Sequence, residues 1–89
     1  MQSREVAVSN PHGLHARACA QIVHAASRFA CEVFLTAGGQ RASARNLLAV
    51  MLLAASVGTV VRIEADGRDA DGAVREIATL IEGRASAGA

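Results

Sequence analysis

The chain has 89 residues, which is one small domain (1–89) with no room for a second. Hydrophobic residues make up 52% and charged residues 19%, which argues against disorder. Aromatics are only 2%, so the core has to be built from Val, Leu, Ile and Ala. Nine basic residues, all arginine, stand against eight acidic ones, for a net charge of +1. With Phe29 and Phe34 as its only aromatics, such a chain has neither the field nor the stacking platforms of a nucleic-acid binder.

Met1 to Ser9 lacks an apolar signal core, and the longest apolar run, Leu47 to Ala55, is too short to span a bilayer. A cytoplasmic location without membrane insertion is expected. Cys19 and Cys31 could pair, but two cysteines are not the disulfide framework of a secreted miniprotein, and buried thiols are the expected state.

Glu5 to Ser9 alternates, with Val6 and Val8 on one side, and predicts a first strand. Asn10-Pro11-His12-Gly13 is turn chemistry. Ala18, Ile22, Ala25 or Ala26, and Phe29 recur at helical spacing, predicting a helix over about Ala16 to Ser27. Val33 and Leu35 alternate with Glu32, Phe34 and Thr36 in a second strand. Gly38-Gly39 then suits a tight hairpin into a short third strand, Gln40 to Ala44. Asn46 is placed to cap a helix running through Leu53, and Gly58 breaks the chain. Val61, Ile63 and Ala65 alternate with Val60, Arg62 and Glu64 in a fourth strand that ends on the Asp66-Gly67 turn. Asp69 or Asp71 is placed to cap a last helix, in which Ala70, Val74, Ile77 and Ile81 share one stripe. Residues 84–89 read as a frayed tail. One-sided alternation in the strands predicts an α+β fold, an antiparallel sheet with helices on one face.

Asn10 to Ala20, NPHGLHARACA, puts a histidine where a loop becomes a helix. The first N–H groups of a helix lack internal partners, and its dipole is positive there. A phosphate carried at that corner meets the backbone N–H groups of Ala16 and Arg17, and the Arg17 guanidinium adds a permanent charge with a fork suited to phosphate oxygens. The same positive end disfavours imidazolium, so His15 is expected to be neutral and nucleophilic near pH 7. A bland role in capping or filling is the competing reading of such a histidine.

Gly13-Leu14-His15-Ala16-Arg17 resembles the active-site signature of the HPr family, the histidine-containing phosphocarriers of the bacterial phosphotransferase system. The resemblance covers nearly the whole chain, including Gly38-Gly39, Ala44 to Leu53, Gly58-Thr59 and Asp66-Gly67. It implies an open-faced β-sandwich of four antiparallel strands with three helices on one side, in the order βαββαβα. It implies that His15 accepts a phosphoryl group through Nδ1 and that Arg17 stabilises it. Enzyme I, charged from phosphoenolpyruvate, is the implied donor, and enzyme II A domains or related regulators are the implied acceptors. The chain is then a carrier without turnover of its own, with no cofactor, expected as a monomer, and serving sugar uptake or a nitrogen-type regulatory branch.

Two departures from the family pattern stand out. Ala18 occupies the place of the usual proline after the arginine, which adds one N–H donor to the first turn. Asn46 occupies the place where many members carry a regulatory serine; asparagine can cap but cannot be phosphorylated, and nothing marks Ser43 as a substitute. Both departures lean towards a regulatory or incomplete system.

Leu47, Leu48, Val50, Met51, Leu52 and Leu53 leave the middle helix almost no polar face. Leu47, Val50 and Leu53 are expected mainly in the core, and Leu48, Met51 and Leu52 as an exposed patch for partners. With the resemblance, the docking surface is expected to comprise Arg17, Ala18, His24, Leu48, Met51 and Leu52, with Leu47 counted among them despite its core reading. His12, His15, His24 and Cys19 lack the spacing of a metal site, so no metal is expected. A non-catalytic regulatory binding module using the same surface is the alternative function.

Overall fold

The computed structural model of the chain describes residues 1–8, 16–53 and 60–82. Its elements run β1 (Gln2–Ala7), α1 (Ala16–Ser27), β2 (Glu32–Ala37), β3 (Gln40–Ser43), α2 (Leu47–Leu53), β4 (Val60–Asp66) and α3 (Ala70–Glu82). The strands form one sheet in the order β1-β4-β2-β3, antiparallel throughout. The last strand therefore enters between the first two, setting Val6 opposite Val61, and Leu35 opposite Ile63.

Alternation decides what each sheet face does. Val6, Val33, Leu35, Val61, Ile63 and Ala65 all point to the buried side. There they meet Ile22 and Ala26 of α1, Val50 of α2, and Ala73, Ile77 and Ile81 of α3, all fully buried. Each isoleucine- or leucine-sized side chain removed from water in this way contributes about 1.5–3 kcal/mol. The opposite face is polar. Arg62 faces Glu5 at 3.6 Å, Arg41 faces Glu64 at 3.9 Å, and the Arg41 guanidinium lies 4.1 Å from the centre of the Phe34 ring. These exposed pairs are worth about 0–1 kcal/mol each and serve mainly to keep the open face wet. The expected open-faced α+β sandwich is the observed fold.

Gly38 and Gly39 carry φ of 56° and 80°, the left-handed pair that a two-residue hairpin between right-twisted strands requires. Three local expectations need correction. Strand β1 begins at Gln2, because its pairing with β4 runs out to Gln2 opposite Ala65. It ends at Ala7, although Val8 is still buried, and Ser9 lies outside the described residues. Strand β3 stops at Ser43, and Ala44 keeps one bond to the sheet, its N–H donating to the Val33 carbonyl at 2.9 Å. The predicted break at Gly58 and the tail 84–89 also lie outside the described residues.

The third correction concerns the start of α3. Asp69 does precede the helix, and its carbonyl accepts the Ala73 N–H at 3.1 Å, but its carboxylate does not cap. It reaches across to accept the N–H groups of Ala30 and Cys31, both at 3.1 Å. Arg45 closes the same corner from the other side, donating to the carbonyls of Phe29 (2.7 Å) and Cys31 (2.9 Å). The segment leaving α1 is thus held by two charged side chains from distant parts of the chain. Asp71, in the first turn of α3, pairs with Arg75 at 2.7 Å instead.

The donated Ala30 N–H, followed by the N–H and thiol of Cys31, holds the Asp69 carboxyl below its ordinary range. A depressed carboxylate contributes stability that is present above its unfolded-state pKa and is lost as pH falls through the folded value, hence below about pH 4. Asp69→Asn is therefore expected to lower the melting temperature by several degrees at pH 7. The gap to the wild type should narrow progressively below about pH 4. A gap of constant size from pH 7 to pH 3 in thermal melts would refute the clamp.

Candidate functional site

Helix α1 starts at Ala16, as its apolar stripe predicts, and its first turn contains no acidic residue. Ala16 and Arg17 are exposed at that end, so the Arg17 guanidinium is open to an approaching anion or protein. Gly13, Leu14 and His15, with His12 of the preceding turn, lie outside the described residues. The expected backbone donors Ala16 and Arg17 thus mark the described edge of the site.

Ala18 is 5% exposed and Cys19 is fully buried, both directed into the core. The expectation that Ala18 contributes to a docking surface is corrected by this burial. Its place follows from helical period, since positions 18, 22, 25 and 26 form the stripe against the sheet. Burial pushes the Cys19 thiol up, and burial with the neighbouring Asp69 does the same for Cys31. Neither cysteine is in a disulfide, and such protonated, enclosed thiols pack rather than react.

His24 is exposed on the outer face of α1, in line with Arg17. Gln21 and Arg28, which sequence reasoning passes over, share that line. The spacing 17, 21, 24, 28 is the helical signal that finds them. Arg28 pairs with Glu76 of α3.

Helix α2 packs beside α1. Its Asn46 cap works as the sequence predicts: Oδ1 accepts the Ala49 N–H at 3.1 Å, and the Asn46 carbonyl accepts the Val50 N–H at 3.0 Å. Val50 is fully buried and Leu53 packs against the core. Leu48 is 66% exposed, Met51 40% and Leu52 80%, as the patch reading expects. Leu47 is 42% exposed, which overturns its assignment to the core and leaves it with its neighbours on the surface. The helix has only seven residues, so Val50 alone can point squarely at the sheet. Arg17, His24 and the α2 residues Leu47, Leu48, Met51 and Leu52 thus lie exposed on two adjacent helices.

No group of three or more His, Cys, Asp or Glu side chains among the described residues is arranged to hold a metal ion. No helix among them is long and apolar enough to cross a membrane.

The chain matches the family model for the HPr component phosphorylation site of the phosphotransferase system over residues 2–83. It is 42% identical over 84 residues to the phosphocarrier protein HPr of Xylella fastidiosa strain Temecula1, covering 94% of each chain. It is 33% identical over 81 residues to the phosphocarrier protein NPr of Shewanella violacea, covering 91% of this chain and 89% of that one. The crystal structure of HPr-C-His from Thermoanaerobacter tengcongensis superimposes with a TM-score of 0.86 at 31% identity, covering 93% of each chain. The chain belongs to the HPr family, the phosphocarriers of the phosphotransferase system. These relatives favour a carrier over a purely regulatory binding module, and they place the chain among proteins that work with other components of that system.

Proposed function

We propose that His15 is the residue that carries the phosphoryl group. The observation that supports this most directly is the segment Gly13-Leu14-His15-Ala16-Arg17, set against a helix that begins with Ala16 and Arg17 exposed and no acid in its first turn. The incoming phosphoryl group brings negative charge to a positive helix end, where the N–H groups of Ala16 and Arg17 are donors and the Arg17 guanidinium supplies charge. Nδ1 of His15 forms the N–P bond as the bond from phosphorus to the donor breaks. At the acceptor the same exchange runs in reverse, leaving the histidine as it began. The chain is thus a shuttle without turnover of its own.

The donor is enzyme I, charged from phosphoenolpyruvate, and the acceptors are enzyme II A domains or related regulators, met in the cytoplasm by a monomeric 1–89 domain. Arg17, His24, Leu47, Leu48, Met51 and Leu52 form the docking surface, an apolar patch beside a basic helix. Control by a serine kinase at position 46 is absent, since Asn46 stands there as the α2 cap.

The test is intact-mass spectrometry after incubation with enzyme I and phosphoenolpyruvate at neutral to alkaline pH. One added phosphoryl group, lost in mild acid, is the expected result. No added mass, with enzyme I itself charged, would move the chain to the regulatory-module reading. Arg17→Ala is expected to slow phosphoryl uptake by at least about tenfold, the scale of losing one charge-assisted contact, while shifting the melting temperature little because the side chain is exposed. Wild-type uptake rates in rapid-quench assays would remove Arg17 from the transfer step.

A further inference from the structure

All eight carboxylate side chains of the sequence, Glu5, Glu32, Glu64, Asp66, Asp69, Asp71, Glu76 and Glu82, fall on the strands, on α3 or on the turn before α3. Helices α1 and α2 carry none. The surface that they present together is apolar on α2, and basic or neutral along the outer line of α1. A partner complementary to it sets carboxylates against α1.

Along that line the cations are not equivalent. Arg17 is exposed at the start of α1. Arg28, just past its end, is already paired with Glu76. His24 lies between them, exposed, with its imidazole on the side away from the buried stripe of Ala18, Ile22, Ala25 and Ala26. Among the ionisable groups of the elements packed on α1, helix α2 contributes none. From α3 come Asp71 and Arg75, which pair with each other, Glu76, which is held by Arg28, and Glu82. Cys19 of α1 is buried on the opposite side. Arg17 is seven residues from His24, or about 10 Å along the helix, close to one Debye length at physiological salt, so the two are separate points of charge along one line.

We infer that His24 makes docking to the acidic face of the phosphoryl donor, enzyme I, depend on pH across the near-neutral range. Imidazole is the one side chain whose ordinary charge change falls between pH 5 and 8. When protonated, it completes a line of positive charge from Arg17 towards the middle of α1. When neutral, it leaves Arg17 as the one cation within α1. The inference rests on the phosphocarrier reading.

The test measures KM for the chain as substrate of its cognate enzyme I, with phosphoenolpyruvate, at pH 6 and pH 8, for wild type, His24→Gln and His24→Arg. Comparing variants at each pH cancels the titration of enzyme I and of His15, which is common to all three. The KM ratio of His24→Gln to wild type is expected to be about two- to fivefold at pH 6, the scale of one exposed ion pair, and close to one at pH 8. His24→Arg should match the wild type at pH 6 and bind more tightly than it at pH 8. A ratio that does not change with pH, whatever its size, overturns the inference while the carrier reading stands. No phosphorylation of any of the three proteins overturns both.

Discussion

His15→Ala is expected to abolish phosphoryl uptake altogether, leaving no acid-labile mass increment after incubation with charged enzyme I. The chain has three histidines, His12, His15 and His24, so the acceptor is a choice among few. His24 is on the outer face of α1, away from the helix start, where neither the dipole nor the first-turn donors act. His12 belongs to the turn sequence preceding the signature. Only His15 is joined directly to the start of α1, where Ala16 and Arg17 are exposed. The companion variants sharpen the result: His24→Gln should still be labelled stoichiometrically, whatever its effect on KM, and His12→Ala should retain the label. Retention of the label by His15→Ala would mean that another nitrogen is the acceptor and that the signature has lost its role.

Gly67→Ala carries the largest expected cost to stability. The Asp66-Gly67 turn swings the chain from β4 towards α3 with Gly67 at φ 136°, a backbone conformation that side chains with a Cβ rarely adopt. Space is closed as well: a Cβ placed there lies 2.9 Å from Cys31 Cβ and 3.0 Å from Cys31 Cα. The neighbour cannot swing aside, because the N–H of Cys31 is held by Asp69 and its carbonyl by Arg45. Strain of about 1–3 kcal/mol for the backbone, and about 1–3 kcal/mol for forcing packed segments apart, together make about 2–6 kcal/mol. A domain of this length has about 4–13 kcal/mol in total. Urea denaturation should show the loss as a fallen midpoint. Cys31→Ala should not relieve it, since the clash is with Cβ and Cα rather than sulfur. A loss below about 1 kcal/mol would show that the turn relaxes freely.

Elements governed by local pattern were legible without coordinates. The two-residue alternation of Val33 and Leu35, or of Val61 and Ile63, needs only the sheet's one dry face, and the stripe from Ala18 to Ala26 marks α1 to the residue at both ends. The caps show where locality stops. Asn46 does what its position suggests, because its cap needs only the N–H of Ala49, three residues on. Asp69 has the same local credentials, yet it serves a segment 38 residues earlier in the chain, and only the packing of α3 against α1 brings the two together. Leu47 and Ala18 went wrong for a related reason. A seven-residue helix hides few of its positions, and the first buried turn of α1 follows from how that helix lies on the sheet. As for the site, the signature around His15 is a contiguous string and reads directly. Arg28 is found only when helical spacing is traced across the end of α1.

The absence of carboxylates from α1 and α2 also shapes what happens before any partner is touched. With a net charge of +1 the molecule feels little overall pull, but α1 carries Arg17 and His24 and neither it nor α2 carries a carboxylate, so this surface is locally positive. In the field of an acidic protein that local charge turns the α1 side forward during the approach, and a larger share of collisions arrives in a productive orientation. Exposed charges of this kind act mainly on the rate of encounter and little on the rate of departure. A messenger that must visit a donor and then an acceptor is served by that asymmetry between arriving and leaving. It also makes the association rate, more than the dissociation rate, the quantity that should fall as salt is added.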